Sequence, residues 1–136
     1  MEDPKDRTGP LDPIEVSERK AGPPPTEIAE AIAAELLHIH HESYGRASER
    51  ATSHLVGDTL IVIMDGLELL PNEEFLVENG REDAVEQLRT QYQKAIEPTF
   101  RAAVERALRR RVVAFSSHAH LDPPRYAVEI FRLAPE

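Results

Sequence analysis

"ATSHLVGDTLIVIMDG", residues 51–66, contains two β-prone runs on either side of the dipeptide Gly57-Asp58. A turn dipeptide between two such runs is typical of a β-hairpin. The second run, Leu60 to Met64, is apolar at every position, as expected of a strand that is covered on both faces. The hairpin therefore predicts a sheet that packs against helices on one face and against a second partner on the other.

Helical patterns flank this hairpin. Thr26 resembles an N-cap for an amphipathic helix that ends at Gly45, with Ile28, Ile32, Leu36 and Ile39 at helical spacing. Downstream, "LLPNEEFLVENG" predicts a short helix with Pro71 in its first turn. A long helix follows from Arg81 to about Arg110, and we expect Pro98 to kink or break it because proline removes one backbone donor.

The chain ends in a second hairpin, "RVVAFSSHAHL" and "RYAVEIFRL", joined around "DPP". The element order predicts an α+β fold with a mostly antiparallel four-stranded sheet built from two hairpins. We expect the N-terminal helix and the long, kinked helix to pack on one face of that sheet. Residues 26–136 are predicted to form a single domain. Residues 1–25 carry six of the eleven prolines and predict a disordered, proline-rich acidic arm.

Composition excludes several classes of protein. The chain of 136 residues has no cysteine, which rules out disulfides and thiolate metal sites. Its net charge of −9 opposes nonspecific binding to nucleic acid or to an anionic membrane surface. No apolar run is long enough to cross a bilayer, and the N-terminus lacks the apolar segment of a signal peptide. We therefore expect a cytoplasmic protein that does not insert into the membrane.

The histidines are the main candidates for chemistry. His38 and His41 are three residues apart on the polar side of the first helix, while His118 and His120 share one face of a strand. Either pair, or both together, could ligate zinc. The alternative is that "HAHLDPPR" is a strand end and a turn, since Asp122 followed by proline is favoured in turns. We prefer the turn, and we expect no cofactor.

The apolar second strand also predicts self-association. Leu60, Val62 and Met64 point one way, whereas Ile61 and Ile63 point the other, so the helices can cover only one set. A symmetric homodimer would bury the other set or the apolar stripe of the long helix. The interaction residues predicted from this argument are Leu60, Val62 and Met64, together with Phe131 and Leu133 of the last strand. A monomer whose short helix at 71–79 crosses that face is the alternative.

Four segments together resemble a known family: "HHESYGRAS", "VGDTLIVIMDG", "LLPNEEFLVENGRE" and the long-helix segment ending in "RRRVVAFSS". The resemblance is to a bacterial domain family of unknown function, named after the C component of the sodium-translocating membrane-potential-generating (Mps) system. It covers roughly residues 27 to 133. The family pattern is matched at Tyr44-Gly45-Arg46, Gly57 to Val62, Pro71 to Glu74 and Gly80 to Glu82. Departures from it are Ala47-Ser48, Leu70 and Pro98.

The resemblance implies a small cytoplasmic accessory domain linked to ion or inorganic-carbon physiology at the membrane. It supplies no catalytic residues. The first functional hypothesis is thus an interaction domain without catalytic activity, which binds itself and either a protein of the membrane system or a small signal. The alternative is a zinc hydrolase or hydratase that uses His38, His41, His118 and His120. Enzymatic activity stays open, with the first hypothesis preferred.

Overall fold

The computed structural model describes residues 25–45 and 48–136, so the predicted arm lies outside the described residues except for Pro25. Within these two ranges, three helices and four strands follow one another in the predicted order. Their bounds are α1 Pro25–Tyr44, β1 Arg50–Val56, β2 Thr59–Asp65, α2 Pro71–Glu78, α3 Glu82–Leu108, β3 Val112–His120 and β4 Tyr126–Leu133. The α+β fold class is confirmed.

The four strands form one antiparallel sheet in the order β1-β2-β4-β3. The two predicted hairpins therefore lie side by side, with β2 and β4 in the centre. Gly57 turns the first hairpin with a φ of 58°, a left-handed value that glycine adopts without steric cost. Residues 121–125 connect β3 to β4, so "HAHLDPPR" is the strand end and turn that the sequence predicts.

The long helix α3 contains 27 residues and runs through Pro98 without a break. The helix continues because residues before and after Pro98 are buried against the rest of the protein. Val85 and Arg89 are buried before it, and Phe100, Ala103 and Val104 are buried after it. Packing against the sheet outweighs the loss of one backbone hydrogen bond at Pro98. The helix ends at Arg109, a left-handed C-cap whose N–H donates to the Glu105 carbonyl at 2.8 Å.

The main core lies between the sheet and the helices. Leu60, Val62 and Met64 of β2 and Phe131 and Leu133 of β4 are at most 1% exposed, and they pack with Ile32 and Leu36 of α1 and Phe100 and Val104 of α3. In β1, the Ser53 hydroxyl donates to the Ala29 carbonyl and so fixes α1 over this side of the sheet. The helices therefore cover one sheet face.

A buried ion pair holds the three helices together. Glu73 of α2 is fully buried, and Arg89 of α3 is nearly so. Arg89 donates from Nε to Glu73 Oε2 at 3.0 Å and from an Nη to Oε1 at 2.8 Å, a bidentate arrangement. The Tyr44 hydroxyl at the end of α1 donates to the same carboxylate, and the backbone N–H of Leu70 donates to Oε1 at 2.8 Å. One carboxylate thus bonds to all three helical segments.

The electrostatics of this pair follow from its contacts. Burial alone would raise the pKa of Glu73, but the hydrogen bonds from Arg89, Tyr44 and Leu70 outweigh burial and hold the pKa below its usual value. The guanidinium of Arg89 lies 4.7 Å from the centre of the Tyr44 ring, which adds a cation–π contact. Burial and the hydrogen bond to Glu73 raise the pKa of Tyr44, so its hydroxyl stays protonated.

Removal of either partner of this pair should be strongly destabilising. Glu73→Gln or Arg89→Met leaves a buried charge without its counter-ion, which costs roughly 3–5 kcal/mol of unfolding free energy. The double variant should lose less than the sum of the two single losses, because it buries no unpaired charge. Denaturant titration monitored by circular dichroism measures these differences.

Glu97→Gln is the matched control, since it breaks the partly exposed ion pair between Glu97 and Arg101, whose atoms are 2.7 Å apart. That loss should stay below about 1 kcal/mol. Equal losses for Glu73→Gln and Glu97→Gln would show that the buried pair does not hold the helices.

Candidate functional site

A cleft of about 540 Å³ lies between α3 and the edge strand β3. The α3 wall runs from Glu86 to Glu97, and the strand wall runs from Phe115 to Ala119. The remaining lining comes from His40 of α1 and from Leu121 and Ala127. The lining therefore combines apolar side chains with polar and charged groups, as is usual for binding sites.

Glu129 is the most unusual residue beside the cleft. It lies on β4 between Ala127 and Phe131, on the face that the helices cover, and its exposed fraction is 0%. Ser117, which lines the cleft, is its register partner on β3. Among the described residues, neither carboxyl oxygen has a hydrogen-bond partner of standard geometry. Burial raises the pKa of Glu129 to about 7, and the Ser117 hydroxyl offsets only part of that rise.

Polar groups of α1 and α3 lie near this carboxyl. Burial raises the pKa of Tyr92, and the charge of Glu129 contributes to that rise, so the two groups interact electrostatically. The Tyr92 and Ser43 hydroxyls are 2.6 Å apart, and the Tyr92 ring meets those of His40 and Tyr44 at centroid distances of 5.2 and 4.8 Å. Tyr44 in turn bonds to Glu73. A continuous set of polar and aromatic side chains therefore leads from the cleft to the ion pair of Glu73 and Arg89.

The second candidate surface is the sheet face that α1, α2 and α3 leave uncovered in the described part of the chain. Side chains alternate along each strand, so Ile61 and Ile63 of β2 and Val128 and Ile130 of β4 point away from the helices. The register pairs Ile61 with Ile130 and Ile63 with Val128 at the centre of the sheet. We call these four side chains the apolar patch. His54, Thr52, Ser116 and His118 on the edge strands flank it.

The four metal candidates do not form one site. His38 and His41 are exposed on α1, on the helical side of the sheet. His118 and His120 alternate with Ser117 and Ala119, so they point to the opposite face; the His120 ring lies 3.0 Å from the Pro124 carbonyl oxygen and stacks on Tyr126. Within residues 25–45 and 48–136, no cluster of three or more His, Asp or Glu side chains could hold a metal ion.

The five predicted interaction residues lie in the core of the subunit. Leu60, Val62, Met64, Phe131 and Leu133 are all covered by α1 and α3. The opposite set of the same strands is partly exposed, because Ile61, Ile63 and Val128 are half-buried and Ile130 is 38% exposed. The apolar patch is therefore the surface of the sheet that a second subunit could contact. The five predicted residues instead contact helices of their own chain.

Sequence reasoning missed two buried acidic residues. Glu73 lies in the first turn of α2, where exposed carboxylates are common, and no local pattern links it to Arg89, sixteen residues later. Glu129 carries a visible signal, because it occupies an inward position in the alternating series Ala127, Phe131 and Leu133. A carboxylate in such a series points either to a register change or to a functional group.

The fold and these surfaces define a small two-layer α+β domain with an open sheet face and a cleft at one sheet edge. A family model described as "Na+-translocating membrane potential-generating system (MpsC)" matches residues 25–134, and the chain therefore belongs to this family. Searches of curated proteins and of solved structures found no match. In the part of the chain that the structure describes, no helix has both the length and the apolar character needed to cross a bilayer.

The buried Glu129 predicts a pH dependence of stability with a definite sign. In the unfolded chain this carboxyl ionises near its usual pKa of 4.5, whereas in the folded chain it keeps its proton up to about pH 7. The unfolding free energy should therefore fall between about pH 4.5 and 7 and then level off, by roughly 3 kcal/mol in total. Glu129→Gln should lack this fall, which denaturant titration at pH 5, 6, 7 and 8 would measure.

The difference between Glu129→Gln and wild type isolates this carboxyl from other titrating groups. Glu86→Gln, which removes an exposed carboxylate of α3, is the matched control and should keep the wild-type profile. A pH profile of Glu129→Gln parallel to that of wild type would show that Glu129 is already ionised in the folded state at low pH.

Proposed function

We propose that the chain is a cytoplasmic accessory protein of the Mps membrane system, and that it acts by binding other chains rather than by catalysis. Membership of the MpsC family supports the connection with that system. The binding role is supported by one structural observation: the sheet face opposite the helices has an apolar centre. The binding role is preferred to a zinc hydrolase or hydratase because His38 and His41 lie on the helical side of the sheet, whereas His118 and His120 point to the opposite face.

The apolar patch departs from what a solvent-facing sheet normally shows. An antiparallel sheet with helices on one face usually alternates apolar inward residues with polar outward ones. β2 breaks this pattern, because Ile61 and Ile63 are as apolar as Leu60, Val62 and Met64. β4 adds Val128 and Ile130 directly beside them. Contiguous apolar side chains of this kind mark interaction surfaces in soluble proteins.

A second copy of the chain is the occupant that we propose for this face. The patch lies on the two central strands, so a two-fold axis through its middle would bring the same four side chains of each subunit together. The flanking positions Thr52, His54, Ser116 and His118 are polar, which gives the patch a polar rim. Face-to-face packing of two such sheets would form a sandwich whose second core is the patch.

A lysine at the centre of the patch should disrupt the dimer. The wild-type chain should have about twice the mass of one 15.3 kDa chain at micromolar concentration in light scattering or sedimentation. Ile130→Lys should weaken self-association by at least about tenfold, because it places a charge in the apolar interface. The fold should persist, since Ile130 is already 38% exposed in the subunit.

Leu88→Lys is the matched control for this experiment. Leu88 is 48% exposed on α3, on the other side of the molecule, and its replacement should leave the mass unchanged. A wild-type mass near 15.3 kDa at high concentration would refute the dimer. If Ile130→Lys lost no more of the dimer than Leu88→Lys, the interface would lie outside the apolar patch.

The connection with the membrane system is tested separately by co-purification. The wild-type chain and Leu88→Lys should both be recovered with membrane components of the Mps system when expressed together with them. If the dimer is the form that binds, Ile130→Lys should be recovered in much smaller amounts. Recovery of none of the three chains would refute a direct accessory role while leaving the dimer intact.

A further inference from the structure

The outer edge of β3 is open. β3 is the last strand of the sheet and pairs only with β4 among the described residues, so its other edge faces no strand. Such an edge presents a row of backbone N–H and C=O groups to any chain that can lie alongside it. At nine residues, β3 is the longest strand in the described part of the chain.

The edge lacks the features that usually prevent strand pairing. Natural edge strands tend to carry charged side chains or proline, and the β3 sequence VVAFSSHAH contains no proline, lysine, arginine or carboxylate. Only its beginning is covered by side chains. An Nη of Arg101 donates to the Val112 carbonyl at 2.7 Å, and the Val112 N–H donates to Glu105 at 2.8 Å. The free edge therefore begins after Val112.

The cleft lies directly along this free edge. Its helical wall, Glu86 to Glu97, is about 16 Å long at 1.5 Å per residue. Its strand wall, Phe115 to Ala119, is about 13 Å long at 3.3 Å per residue. A helix beside an open strand edge, with a cleft of this length between them, accommodates four or five extended residues.

The charges around the cleft favour an uncharged occupant. Arg89 is neutralised by Glu73, and Glu97 is paired with Arg101 at 2.7 Å. This leaves Glu86 and Lys94 as charges of opposite sign on the rim. The uncharged part of the lining combines apolar side chains, such as those of Phe115 and Leu121, with small hydroxyls, such as those of Ser117 and Thr90. Backbone pairing would supply affinity, and small β-branched side chains such as valine and threonine would suit this mixed lining.

We propose that the cleft between α3 and β3 binds an extended, uncharged segment of a partner protein, which pairs with β3 as a fifth strand. The segment contributes backbone hydrogen bonds to the edge of β3, and every other side chain enters the cleft. This site is independent of the apolar patch, because strand addition uses the edge of the sheet rather than its open face.

The probe is a capped heptapeptide, Lys-Thr-Val-Thr-Val-Thr-Lys, with lysines only at the ends for solubility. Titration into the ¹⁵N-labelled full-length chain should shift the backbone amides of residues 113–119 and of the α3 wall. The same peptide with its central Val-Thr-Val amides N-methylated should bind at least about tenfold more weakly, because it has lost its backbone donors.

Two variants of α3 test the position of the site. Thr90→Trp places a bulky side chain in the cleft and should weaken peptide binding at least about tenfold. Gln91→Trp is the matched control, because Gln91 is equally exposed on the next position of α3 but does not line the cleft. Ile130→Lys should keep full peptide binding, since strand addition does not use the patch. Circular dichroism verifies that all three variants fold.

Four other outcomes would contradict the proposal that a partner segment pairs with β3. Absence of shifts at millimolar peptide would refute strand addition at this edge. Equal binding of the N-methylated peptide would show side-chain recognition instead, and shifts confined to residues 50–56 would place the site on β1. Shifts of residues 113–119 when the chain alone is concentrated would make a second copy the occupant. Ile130→Lys separates this last outcome from the apolar patch, because a dimer paired through β3 would survive that substitution.

Discussion

The arrangement of the helices depends on the carboxylate of Glu73. It accepts hydrogen bonds from Arg89 of α3, Tyr44 of α1 and the backbone that leads into α2, so one buried group fixes three elements. A buried ion pair contributes little net stability compared with apolar residues of the same volume, but it tolerates the loss of neither partner. Its effect here is geometric. It fixes α3 relative to α1, and α3 forms one wall of the cleft.

The same interaction explains why separated parts of the family pattern occur together. Tyr44 belongs to the segment before β1, and Glu73 belongs to the segment that begins α2, yet their side chains meet in the structure. Two short motifs that are unspecific in the sequence therefore supply side chains to one hydrogen-bonded cluster in the structure. Leu70 lacks a side chain that could cap α2, and Glu73 compensates in part by accepting from the Leu70 N–H.

Local patterns predicted the elements well and their contacts less well. Periodicity identified both hairpins and all three helices, because apolar spacing and turn residues act over a few positions. The alternation in β2 also showed that two sets of side chains exist, Leu60, Val62 and Met64 against Ile61 and Ile63. It could not show which set faces the helices, since that depends on long-range contacts such as the bond from Ser53 to Ala29. Pro98 was expected to kink or break α3, and helix–sheet packing prevents the break.

Glu129 lies on β4 next to residues of both candidate surfaces. It points inward next to the cleft, while its neighbours Val128 and Ile130 point outward into the apolar patch. Burial of this carboxyl lowers the unfolding free energy at neutral pH, because it raises the pKa of Glu129 to about 7 in the folded chain, whereas the unfolded chain ionises it near 4.5. An aliphatic residue at this position would pack without that cost. Groups that lower stability in this way are expected where function requires them. The register partner of Glu129, Ser117, lines the cleft, and β4 itself carries the patch, so this cost falls on the strands that form both candidate surfaces.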